Sequence, residues 1–168
     1  MNRYQVIALS SEMSGAMTIS QIGWQRGGSS GSASGSYNNF KLYVGLASES
    51  ELSNRFKDNY IPGTRTLVYQ RSSQVMSAGP DEWMVITLDT PFWYNGGDNV
   101  IVELEWAGGA NMFYTYMWET GASRGLMNKA DVTAPTGTLS TVMSQLMFDG
   151  PMALEQHTFG YIKAFWSF

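Results

Sequence analysis

The chain contains no cysteine and one histidine, His157. Without cysteine there is no disulfide, no thiolate nucleophile and no thiolate zinc site. One histidine cannot supply the usual nitrogen ligands of zinc. Charge is also sparse, at 14% of residues, and the ten Lys and Arg are scattered. Nucleic-acid binding needs a basic stripe, so a net charge of -4 argues against that partner. No basic run suits a membrane surface, and no stretch approaches the roughly 20 apolar residues of a spanning helix. The opening "MNRYQVIALSSEMSG" lacks the h-region and cleavage pattern of a signal peptide. That leaves a cytoplasmic chain or a trimmed form of a secreted one.

What the chain does hold is aromatic side chains, at 14%, and 18 glycines without a period. Its 168 residues suit one domain with a sizeable core. Short alternating runs separated by turn residues read as strands. In "MTISQIGWQ", Met17, Ile19, Gln21, Gly23 and Gln25 fall on one side, with Thr18, Ser20, Ile22 and Trp24 on the other. "FKLYVGLA" alternates through Phe40, Leu42 and Val44. "WMVITLDT" sets Met84, Ile86 and Leu88 against Trp83, Val85 and Thr87. "VIVELEW" puts Val100, Val102, Leu104 and Trp106 on the buried side, with Ile101, Glu103 and Glu105 on the wetter one. Between two of these runs, "YNGGDN" is hairpin-turn chemistry. Ser48 and Glu51 have capping-box spacing and predict a short helix near 49–56. Residues 26–38 read as a Gly/Ser-rich loop, and an extra strand is expected near 158–168. The prediction is one all-β domain over 1–168: an antiparallel, jelly-roll-like β-sandwich of about nine strands. A closed barrel is the alternative.

Five segments, in order, carry a resemblance: "TISQIGWQ", "NNFKLYVGLAS" with "LSNRF", "TLVYQ", "WMVITLDTPFWYNGGDNVIVELEW" and "GTLSTVMSQLMFD". The chain resembles, over residues 4 to 149, a module of large secreted or cell-surface proteins of Bacteroidetes and related bacteria. Those proteins often carry type IX secretion sorting tails. The resemblance implies a β-sandwich outside the cell, accessory in role, and assigns no functional residue. The tail "MALEQHTFGYIKAFWSF" lies outside the pattern.

Candidate sites therefore come from chemistry alone. A Ser-His-Asp triad would need His157 as base, and no G-x-S-x-G elbow accompanies it. Glu103 and Glu105 share a strand side at a spacing open to a glycosidase pair, but a solvated face is the plainer reading. Asp98, Asn99, Asp131 and Asp149 sit near turns and are the candidates for an all-oxygen Ca2+ site, which needs six to eight oxygens. No other cofactor is expected.

The aromatics offer more. In "NMFYTYMW", Met112, Tyr114, Tyr116 and Trp118 share one side, and Phe113, Thr115 and Met117 the other. If the Phe113 side is core, Tyr114, Tyr116 and Trp118 form an exposed stripe able to stack on sugars, with Trp93 and Tyr94 as an extension. Burial of the Tyr and Trp side is the competing reading. The terminal "FGYIKAFWSF" is apolar on both sides: Phe159, Tyr161 and Phe165 on one, Ile162, Trp166 and Phe168 on the other. That pattern suits a buried strand or self-assembly by strand addition.

The expected function is non-catalytic: an extracellular or cell-surface structural or adhesive protein, associating with itself or other surface proteins. A carbohydrate-binding module is the alternative. Neither nucleic acid nor membrane insertion is expected.

Overall fold

A computed structural model describes residues 2–28 and 33–150. The fold is all-β and antiparallel. Six strands set its frame: β1 (Asn2–Ala8), β2 (Met17–Gln25), β3 (Ser34–Ala47), β4 (Thr66–Ser77), β5 (Trp83–Tyr94) and β6 (Asn99–Trp106). Six shorter ones follow: β7 (Gly108–Ala110), β8 (Met117–Glu119), β9 (Gly125–Asn128), β10 (Thr138–Ser140), β11 (Val142–Ser144) and β12 (Leu146–Asp149). The large sheet runs β10-β9-β1-β6-β3-β4, with β7 also on β3. The small sheet runs β12-β2-β5, and β8 pairs β11.

The pairs β1·β6, β2·β5 and β3·β4 are nested, as in one long hairpin rolled onto itself. That nesting is the jelly-roll pattern. Among the described residues both sheets keep open edges and do not close on themselves, so the barrel alternative does not hold.

The core lies between the sheets, where alternating apolar residues meet. Val6, Leu42, Val44, Val100 and Val102 face Ile22, Trp24, Met84, Ile86 and Leu88 across it. On β6 the inward residues are those the alternation predicts, and on β5 the inward Met84, Ile86 and Leu88 share one of the two predicted sides. On β2 they do not keep to one side, because the register shifts between Ile19 and Gln21. There Ser20 of β2 stands against residues 88–91 of β5, and the alternation of β2 resets while that of β5 continues. Met17 and Ile19 before Ser20, and Ile22 and Trp24 after it, are all buried.

Three further predictions are corrected. Residues 49–56 form no helix; the local helical element is a 3-10 turn at Phe56–Asn59. The Glu51 carboxylate accepts the backbone N–H of Ser123 at 3.0 Å, and Leu52 N–H donates to the Ser123 carbonyl at 2.7 Å. Pairing with a distant segment therefore replaces the capping box. The predicted loop 26–38 is shorter, since Ser34 to Asn38 already pair with β4. The side of β6 assigned to water is covered. Leu52, Phe56 and Tyr60 pack over Ile7, Ala47, Ile101 and Leu126 as a second core on the large sheet's outer face.

Candidate functional site

After β6 the chain continues along β3 in the same antiparallel register, as β7. A Cβ on Gly109, at φ +155, would stand 1.8 Å from the Ser36 carbonyl oxygen, so only glycine fits this approach. Residues 111–116 then cross the end of the sandwich without regular pairing. Their backbone is nonetheless held. Phe113 N–H donates to the Tyr37 hydroxyl at 2.8 Å, and Gly27 N–H to the Tyr114 carbonyl at 3.0 Å. Tyr116 N–H donates to the Gln25 carbonyl, and its own carbonyl accepts Gln145 N–H, both at 2.9 Å. Phe113 is buried as a wedge.

The fixed backbone displays its side chains. Met112, Tyr114, Tyr116, Met117 and Trp118 are between 40% and 58% exposed. This is the exposed-stripe arrangement, with the Phe113 side inward. Met117 joins the exposed set although alternation puts it with Phe113, because the segment becomes a strand only at Met117 itself. The Tyr116 hydroxyl donates to Asp81 Oδ1, and that carboxylate pushes the phenol's pKa up.

Trp93 and Tyr94 do not extend this surface. Tyr94 is fully buried in the core, and its burial raises the hydroxyl's pKa. Trp93 is exposed but lies opposite Thr18, whereas Trp83, at the other end of β5, lies opposite Gln25, the partner of Tyr116. The ten-residue step from Trp83 to Trp93 spans about 33 Å of strand. The self-assembly candidates Phe159, Tyr161, Ile162, Phe165, Trp166 and Phe168, and also His157, lie outside the described residues.

The turn 95–98 follows its plainer reading. Asn95 Oδ1 accepts N–H bonds from Gly97 at 3.0 Å and Asp98 at 3.1 Å, with Gly96 at φ +83. Asn99 Oδ1 takes the N–H of Ser10, and Asp131 Oδ1 that of Thr133, both at 2.8 Å. Asp149 closes on Gly150 N–H, also at 2.8 Å. No group of three or more Asp, Glu or His side chains converges among the described residues.

Glu103, read from the sequence as solvated, is wholly buried beneath residues 56–65. Its Oε1 accepts from Arg3 Nε at 3.1 Å, Arg3 Nη2 at 2.9 Å and Arg65 Nη2 at 2.7 Å. Its Oε2 accepts from Gln5 Nε2 at 2.7 Å and the Tyr60 hydroxyl at 3.0 Å. Arg65 also bonds Glu105 at 2.9 Å and stacks 3.5 Å from the Tyr43 ring centroid. Burial and the Glu103 charge push the Tyr60 hydroxyl well up, and the same causes raise the Glu105 carboxyl. Two arginines balance two glutamates, and five donors saturate Glu103. The carboxyl has no surface from which to meet a substrate. It fastens the 56–65 segment to the sheet.

A second ion pair ties β9 to the first turn. The buried Arg124 guanidinium donates to the Ile7 carbonyl at 2.9 and 3.1 Å and to both Glu12 oxygens. That hydrogen-bonded pairing holds the Glu12 carboxyl below its usual 4.5. A depressed carboxyl stabilises the fold above its unfolded pKa, and the gain disappears as pH falls through the folded one. Stability against urea should therefore fall below about pH 4.5, and part of this slope should be missing in E12Q. Parallel curves for the two proteins from pH 6 to pH 3 would refute the assignment.

Comparisons with family models, with curated proteins and with solved structures find no match to this chain.

Proposed function

We propose that this chain is a non-catalytic jelly-roll module of an extracellular or cell-surface protein, and that its work is attachment. One observation carries the reading: five large apolar side chains stand exposed on a single backbone segment that is fixed at four hydrogen bonds. Clustered exposed apolar residues mark interaction surfaces. Tyrosine and tryptophan also lose little side-chain freedom on contact, because each has only two rotatable bonds. The resemblance to modules of secreted bacterial proteins supports the location outside the cell. Under this reading the partner is a protein surface, a second copy of the chain included.

A carbohydrate-binding module is the second reading. It is favoured by Tyr114, Tyr116 and Trp118 together, since flat rings stack on sugar faces and the phenols add hydrogen bonds. The variant Y114A/Y116A/W118A tests both. All three side chains are well exposed, so its thermal transition should stay within a few degrees of the parent. Light scattering should show defined oligomers of the parent and monomers of the variant if copies attach to one another. A parent that remains monomeric but is retained by a glycan, with retention lost in the variant, moves the assignment to the second reading.

A further inference from the structure

The two sheets are unequal. Among the described residues, six strands in the large sheet's path face three in the small one. An unequal pair leaves part of the large inner face without a facing strand, and the 111–118 segment roofs that part. Beneath it lies a cavity of about 230 Å³. We propose that this cavity is a binding site for a small, flat, uncharged ring compound bearing one hydrogen-bond acceptor.

Four features define that class. First, a dry apolar cavity of about 150 Å³ already holds benzene, so 230 Å³ takes one substituted ring. Second, the walls include Trp24, Phe40, Trp106 and Phe113, whose ring faces and edges suit an aromatic guest. Third, no lining residue is charged, so a charged ligand would lose its hydration without a partner. A sugar would likewise bring more hydroxyls than this lining can satisfy. The cavity therefore takes a different class of ligand from a glycan surface on the outside of the same segment, although Tyr114 belongs to both. Fourth, the cavity contains an uncommitted donor. The Tyr37 hydroxyl accepts Phe113 N–H at 2.8 Å, and its own proton has no acceptor among the described residues. The Tyr4 hydroxyl likewise accepts Ser144 N–H at 3.0 Å. The Ser144 side chain also engages the Tyr4 hydroxyl, so the Tyr37 phenol is the one that an acceptor on the guest would complete.

Access is provided by the roof. Met112 and Met117 line the cavity and are also exposed, so they stand at its mouth. Their unbranched side chains can swing aside at little cost.

The test uses the full chain, its methionine methyls observed by NMR, with acetophenone and ethylbenzene as probes. The two differ in one carbonyl oxygen. Acetophenone should shift Met76, Met112, Met117 and Met127 saturably, and leave Met84 and Met147, which do not line the cavity, in place. It should bind about tenfold more tightly than ethylbenzene, the value of one hydrogen bond. Y37F should reduce that preference. Should Y37F fail to fold, the two-probe comparison on the parent chain decides alone. Equal affinity for the two probes would overturn the acceptor assignment. Absence of saturation up to the solubility limit, or equal shifts at Met147, would overturn the site.

Discussion

Replacing Glu103 with alanine should destabilise the folded chain by about 3–5 kcal/mol, the usual cost of breaking a buried ion pair from one side. The substitution removes the acceptor of five hydrogen bonds at once. Arg3 and Arg65 would be left with Glu105 as their remaining carboxylate. For a chain of this size each kcal/mol moves the thermal midpoint by about 2–4 °C, so a fall of roughly 6–20 °C is expected. Such a loss measures charges left uncompensated, not the net contribution of the network. Urea unfolding at pH 7 provides the measurement. A difference under about 1 kcal/mol, the size expected at an exposed pair, would mean that the loss of Glu103 leaves no buried charge uncompensated.

The second large effect comes from Gly45. The Tyr60 ring lies directly over it, and a Cβ there would stand 2.5 Å from Tyr60 Cδ1 and 3.2 Å from the Arg65 backbone. Tyr60 cannot withdraw freely, because it is buried and its hydroxyl is bonded to Glu103. G45A should thus displace the ring and break that bond, costing about 2–3 kcal/mol by overpacking and loss of a buried hydrogen bond. Removing the ring first should relieve the clash. In the Y60A background, G45A should cost less than 1 kcal/mol, a coupling expected only of residues in contact. Additive losses in the double variant would show that Gly45 matters for some reason other than Tyr60.

These residues also show where sequence pattern stops being informative. Alternation groups Met84, Ile86 and Leu88 on one side, and the grouping holds because β5 contributes one face to the core and the other to solvent. It failed on Glu103 and Ile101, because a strand covered on both faces no longer alternates in burial. The covering segment, 48–65, has little regular structure, and nothing local announces which sheet it will lie on. The alternation also fails at Gln21, where Ser20 stands against residues 88–91 of β5 and nothing in the sequence of β2 marks the shift. The turn 95–98 was legible because its Asn and Gly act through their own backbone. The candidate site was half legible. Buried Phe113 and exposed Tyr114, Tyr116 and Trp118 formed one of two arrangements the pattern allowed, and only the tertiary anchors at Tyr37, Gln25 and Gln145 choose between them. Tyr94 was misplaced because adjacent aromatics on a strand must point to opposite faces. Of the Trp93–Tyr94 pair, only Trp93 reaches solvent.

Attachment through residues 111–119 is tested most directly by biolayer interferometry. The parent chain and Y114A/Y116A/W118A would each be passed over immobilised parent chain and over a panel of immobilised polysaccharides. The account predicts saturable binding of the parent to at least one of these surfaces, and a loss of at least tenfold in affinity for the variant, with its thermal transition unchanged. Binding that the variant retains in full, or a parent chain that binds none of the surfaces, would contradict it.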